Sequence, residues 1–168
     1  MNTVSQGGGV LTKIKNSPYV QAFASYRMIV MVILGFASGL PLPLTSGTLQ
    51  AWLTTAGVDI KMIGIFSIVG LPYTLKFLWS PFMDRFVPPF LGRRRGWIVC
   101  TQVALLAGIA VMALMSPQSM PFALGIIALC VAFFSASQDI VVDAYRTDVL
   151  PAHERGTGVA VFIFGYRI

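Results

Sequence analysis

Charge is what this sequence has least of. Asp, Glu, Lys and Arg make up only 11% of its 168 residues, against 56% apolar ones. A soluble domain carries about 25% charged residues. A water-facing surface cannot be covered from so small a supply, and the bilayer is the better solvent. Histidine is almost missing. His153 stands alone, which excludes a His-based metal cluster or a catalytic triad. Cysteine is scarce too. Cys100 and Cys130 each lie inside an apolar run, with no Cys-x-x-Cys spacing. They read as small apolar fillers rather than a disulfide or a metal site. No nucleophile elbow, phosphate-binding loop or metal-ligand spacing occurs. Nothing supports an enzyme, and no cofactor is expected.

The charges that are present are unevenly placed. The net charge is +6, yet the cations fall in short loops between apolar runs and form no basic face. They read as topology determinants, not as a nucleic-acid surface. The densest cluster lies between Ser80 and Trp97, where Asp84, Arg85, Arg93, Arg94 and Arg95 flank the pair Pro88 and Pro89. This stretch must sit in water, so the apolar segments on either side begin and end here.

Residues 1–27 form a polar tail with Gly7, Gly8 and Gly9 at its start, and a short interfacial helix over 19–26. The first apolar run begins near Met28 and is too long for a signal-peptide core of about 7–15 residues. It predicts a spanning helix over about 28–52. Gly35 and Gly39 form a small-xxx-small motif that admits a close neighbour. Pro41 and Pro43 break the same helix, which is tolerable only where a neighbour or a cavity satisfies the freed backbone groups. Thr45, Ser46, Thr48 and Gln50 make its outer end polar. Further helices are expected over about 62–83, 98–115 and 122–145. The third of the four reads as lipid-facing. A fifth apolar segment, 156–168, has 13 residues, too few to span, and reads as the start of an incomplete helix in a truncated chain. Residues 28–168 are thus expected to form one transmembrane bundle.

Nine Lys and Arg fall on one side: three in the tail, four in the 80–97 loop, and Arg146 and Arg155. Only Lys61 falls on the other. This predicts a cytoplasmic amino terminus.

Charges inside a bilayer cost about 2.5–3.5 kcal/mol on insertion scales, so they face a partner or a cavity. Lys76 and Asp139 each lie roughly 10 Å from the cytoplasmic end of their helices, at about 1.5 Å per residue. Equal depth permits an ion pair and nominates Asp139 as a proton-accepting or gating carboxylate coupled to Lys76. A static pair joining two helices is the plainer alternative. Asp143 lies one turn beyond Asp139 on the same face, and Arg146 is within local reach of Asp143. Asp84, Arg85, Arg93, Arg94 and Arg146 are candidates for a cytoplasmic latch that breaks on conformational change.

The run Ser80, Asp84, Arg85, Gly92, Arg93, Arg94 resembles the loop signature of the major facilitator superfamily. It departs from that signature in a Ser for the usual Gly and in a longer gap. Longer words resemble the AmpG muropeptide permeases: Gly35 to Trp52, Lys76 to Arg85, Ser135 to Tyr145, and Thr147 to Gly156. The resemblance covers about 28–168. It implies an all-α integral membrane fold with four full transmembrane helices and a truncated fifth, forming the amino-terminal part of two six-helix halves. It also implies proton-coupled import of anhydro-muropeptides across the bacterial inner membrane by alternating access, serving peptidoglycan recycling and β-lactamase induction. The expected partners are muropeptide, protons, membrane lipid and the carboxy-terminal half. On this reading Gly64 and Gly165 are places where close helix approach lets the halves rock. Thr45, Ser46 and Gln50 are candidates for sugar hydrogen bonds. A permease for an acyl-coenzyme A or a peptide, and a non-transporting membrane fragment, are the alternatives.

Overall fold

The computed structural model describes residues 25–86, 88–89 and 92–168. The tail up to residue 24, with its glycines and most of the expected interfacial helix, lies outside them. The described chain is helical: α1 (Tyr26–Thr55), α2 (Ile60–Leu78), α3 (Ser80–Arg85), α4 (Arg93–Ala113), α5 (Pro121–Val149) and α6 (Arg155–Arg167). Of these, α1, α2, α4 and α5 are long and apolar enough to cross a membrane. Their outward side chains are apolar. Val103 is 61% exposed, Leu106 72% and Phe122 72%, a surface that only lipid would solvate well.

Proline shapes the first two helices. Pro41 and Pro43 lack the N–H that would close the ladder, and a π-helical stretch follows at Leu44–Thr48. Side chains take up the disturbed carbonyls. Thr45 Oγ1 donates to Pro41 O at 2.8 Å, and Ser46 Oγ to Leu42 O at 2.7 Å. In α2, a 3₁₀ stretch at Phe66–Gly70 precedes a fresh α-turn that carries Pro72 at its start, where its missing donor costs least. Lys76 opens another 3₁₀ turn, Lys76–Leu78.

The ends are set by local chemistry. Gly57, at φ +74°, closes α1, with Val58 N donating to Leu53 O at 3.1 Å. Only glycine enters this left-handed region at little cost. Asp59 caps α2 by accepting from Lys61 N at 2.7 Å. Gly92, at φ +79°, starts α4 directly at Arg93. The three arginines therefore stand on the first turn of α4 rather than in a loop, and the helix begins five residues before the expected 98. At its other end α5 runs past 145 to Val149. Arg155 takes up carbonyls there, Nε donating to Leu150 O at 3.2 Å.

The chain forms two compact units, one of residues 37–145 and one joining the chain up to Phe36 with Arg146–Ile168. The larger unit has an apolar core from four helices: Leu49 and Leu53 of α1, Phe66 of α2, Leu105 of α4, and Leu124 and Val131 of α5. In the smaller unit α1 and α6 pack backbone to backbone. A Cβ added at Gly35 would stand 2.3 Å from Phe162 O, and one at Gly165 would stand 2.3 Å from Val32 O.

Candidate functional site

The 37–145 unit holds a polar interior beside its apolar core. Ser38, Thr45, Ser135, Ser137 and Gln138 are all buried. Ser135, Gln138, Asp139 and Val142 follow the three-and-four spacing that lines one face of a helix. That stripe of α5 meets α1 and α2. Ser38 of α1 and Lys76 of α2 are the near neighbours of Asp139, with Asp143 one turn on. Tyr73 of α2 faces Ser135, Thr45 and Asp139. Trp79 closes the group by donating from Nε1 to Ser137 Oγ at 3.1 Å and by packing on Phe133 at 4.8 Å.

Much of this interior is unsatisfied. Ser38 Oγ, Tyr73 OH, Ser135 Oγ, both polar atoms of Gln138 and Asp139 Oδ1 have no hydrogen-bond partner among the described residues. Each such atom costs about 1–3 kcal/mol. Lys76 stands within electrostatic reach of Asp139, yet among the described residues the two form no contact ion pair. A cation and a carboxylate held near each other, with hydroxyls and a carboxamide between helices, can bind a proton, water or a polar ligand.

The other nominated residues fall as follows. Thr45 is buried, and its hydroxyl hydrogen is committed to Pro41 O. Ser46 is exposed but likewise committed, to Leu42 O. Gln50 is exposed on the outer half of α1. Asp143 is exposed near the cytoplasmic end of α5. In the loop cluster Arg94 Nη1 meets Asp84 Oδ1 at 2.6 Å, and Arg93 Nη1 approaches Asp84 O at 3.4 Å. Trp97 Nε1 ties α4 to Phe86 O at 2.8 Å. Arg85 is exposed at the end of α3. In the other unit Arg146 lies over the Phe162 ring, 5.0 Å from its centroid. Gly39 is buried, whereas a methyl on Gly64 would meet nothing within 4 Å.

Ser38, Tyr73, Ser135, Ser137 and Gln138 were not nominated from the sequence as site residues. The signal was there. Four polar residues stand among five from Ser135 to Asp139, inside an otherwise apolar helix.

Four membrane-crossing helices around an unsatisfied polar interior define a multi-pass membrane protein built to handle a polar passenger. The chain belongs to a transporter family: the family model described as acetyl-coenzyme A transporter 1 matches residues 27–166. Among curated relatives, the anhydromuropeptide permease of Escherichia coli (strain K12) is 56% identical over 153 residues, 91% of this chain and 31% of that protein. The putative transporter AmpG 4 of Rickettsia felis is 37% identical over 150 residues, covering 87% of this chain and 36% of the relative. The putative transporter AmpG 1 of Rickettsia conorii is 33% identical over 146 residues, with 84% and 35% covered. The resemblance to the AmpG permeases therefore holds. The chain spans about a third of the length of these relatives.

Proposed function

We propose that this chain supplies the amino-terminal helices of a proton-coupled permease that imports anhydro-muropeptides across the bacterial inner membrane by alternating access. Its amino terminus lies in the cytoplasm, and transport requires the carboxy-terminal helices that complete the cavity. The observation that carries the reading is the unpartnered polar interior around Asp139, where a carboxylate near Lys76 is walled by hydroxyls from three spanning helices. Such groups persist inside a membrane when they serve a proton or substrate path. In this mechanism Asp139 takes the proton, Lys76 balances its charge, and Asp84 with Arg94 holds the cytoplasmic ends of α3 and α4. Gln50 is the best placed of the three outer polar residues for a sugar, because the hydroxyl hydrogens of Thr45 and Ser46 are spent on backbone. The name of the Escherichia coli relative supports muropeptide as the substrate, and import would serve peptidoglycan recycling and β-lactamase induction. The protein performs no covalent chemistry on its passenger.

An acyl-coenzyme A is the second reading, favoured by the description of the matching family. The test joins this chain to the rest of the Escherichia coli permease in cells lacking their own. Uptake of radiolabelled N-acetylglucosaminyl-anhydro-N-acetylmuramyl tripeptide should be restored, be abolished by a protonophore, and resist competition by acetyl-coenzyme A. Absent uptake from a correctly inserted chimera would sink the muropeptide reading. Competition by acetyl-coenzyme A would favour the second.

A further inference from the structure

The unpartnered atoms of the 37–145 unit are ordered along the membrane normal. Ser38, Lys76 and Asp139 lie at one level, and Thr45, Tyr73 and Ser135 each lie about one to two helical turns further from the cytoplasmic ends of their helices. Tyr73 joins the levels, because it faces Thr45 and Ser135 on the outer side and Asp139 on the inner. A tyrosine buried only for its ring normally finds a partner for its hydroxyl. This one has none among the described residues, and neither has Ser135 Oγ beside it. Buried polar atoms in such numbers hold water. Thr45 Oγ1 gives its own hydrogen to Pro41 O at 2.8 Å, so it presents lone pairs to the file and can only accept.

We propose that Thr45, Tyr73 and Ser135 hold a file of water through which Asp139 exchanges protons with the outer face, with Tyr73 as the positioning residue that links its two ends. The proposal rests on Asp139 being the proton site. Each relay oxygen takes one proton and releases another, so Tyr73 and Ser135 finish neutral and unchanged. An outer hydronium becomes water, and the Asp139 carboxylate becomes a carboxylic acid. The groups facing Asp139 divide by side. Tyr73 and Ser135 lie outward, Ser38 and Lys76 lie at its level, and Asp143 lies toward the cytoplasm. The path is therefore neutral on its outer side and charged at its inner end.

The test uses the full chain in lipid nanodiscs, a photochemical pH jump and time-resolved infrared difference spectra. The Asp139 carboxyl band is identified by its loss in Asp139→Asn. Tyr73→Phe removes one oxygen and keeps the ring. It should leave the band's final amplitude unchanged and slow its rise by about tenfold or more. Ser135→Ala should slow it in the same direction, and it carries the test if Tyr73→Phe loses its helical circular dichroism. Unchanged rise times in the folded variants would overturn the relay and leave Asp139 as the proton site. A spectrum with no pH-dependent band sensitive to Asp139→Asn would overturn the Asp139 assignment, and the relay with it.

Discussion

At the residue scale, identical side chains carry different meaning according to what stands beside them. Gly35 and Gly165 sit where two backbones touch. A methyl at either would press to 2.3 Å of a carbonyl oxygen on the facing helix. No rotamer relieves such a clash, so the helices must part. Gly165→Ala should destabilise the protein by about 1–3 kcal/mol, the usual cost of overpacking. Gly64 has open space, and Gly64→Ala should be neutral or stabilise by up to about 1 kcal/mol through helix propensity. Thermal unfolding in detergent compares the pair. Equal shifts would mean that the α1–α6 contact is not tight. The same contrast separates Thr45 from Gln50. Both are polar residues of α1, but one is buried with its hydrogen spent on Pro41 O, and the other is exposed.

At the element scale, α1 behaves as two helices joined by a π-helical turn, and Thr45 helps hold the joint. Pro41 O accepts from both Leu44 N and Thr45 Oγ1. Thr45→Val removes the second bond at nearly constant volume. It should cost about 1 kcal/mol and speed amide exchange across Leu44–Thr48. Unchanged exchange there would show that the prolines alone shape the turn. The break in α1 was legible from Pro41 and Pro43, but its π geometry was not, because proline removes a donor without saying which carbonyl the chain reaches next. The four spans were legible from hydropathy, and the Asp84–Arg94 pairing from the charge cluster. The start of α4 at Arg93 was hidden, since it depends on Gly92 adopting a left-handed φ that composition cannot show. The polar interior was half legible. Lys76 and Asp139 stood out as charges in apolar helices. Tyr73, Ser135 and Gln138 did not, because a neutral polar residue costs little on a lipid scale until its burial and lack of partner are known.

At the scale of the whole molecule, the question is which way the charges face and whether Asp139 works. Orientation comes first, with Cys100 and Cys130 replaced by alanine. In intact spheroplasts Lys61→Cys should react with an impermeant maleimide, and Pro88→Cys should react only after permeabilisation. The reverse pattern would place the amino terminus outside. The same labelling controls the test of Asp139. Asp139→Asn keeps the side chain's size and removes its charge, so Lys76 loses its counter-charge while the helices keep their shape. A static pair predicts a modest loss of stability and normal transport. A proton site predicts that accumulation against a gradient, in the chimera with the rest of the Escherichia coli permease, falls by about 10²-fold or more. Exchange of labelled for unlabelled muropeptide, which needs no net proton movement, should persist in that variant. Loss of exchange together with accumulation would move Asp139 from the proton to the substrate, since a group that only carries protons is not needed for exchange at equal concentration. Accumulation at the unsubstituted level would leave Asp139 and Lys76 as a structural pair, retained although apolar residues could replace it at little cost.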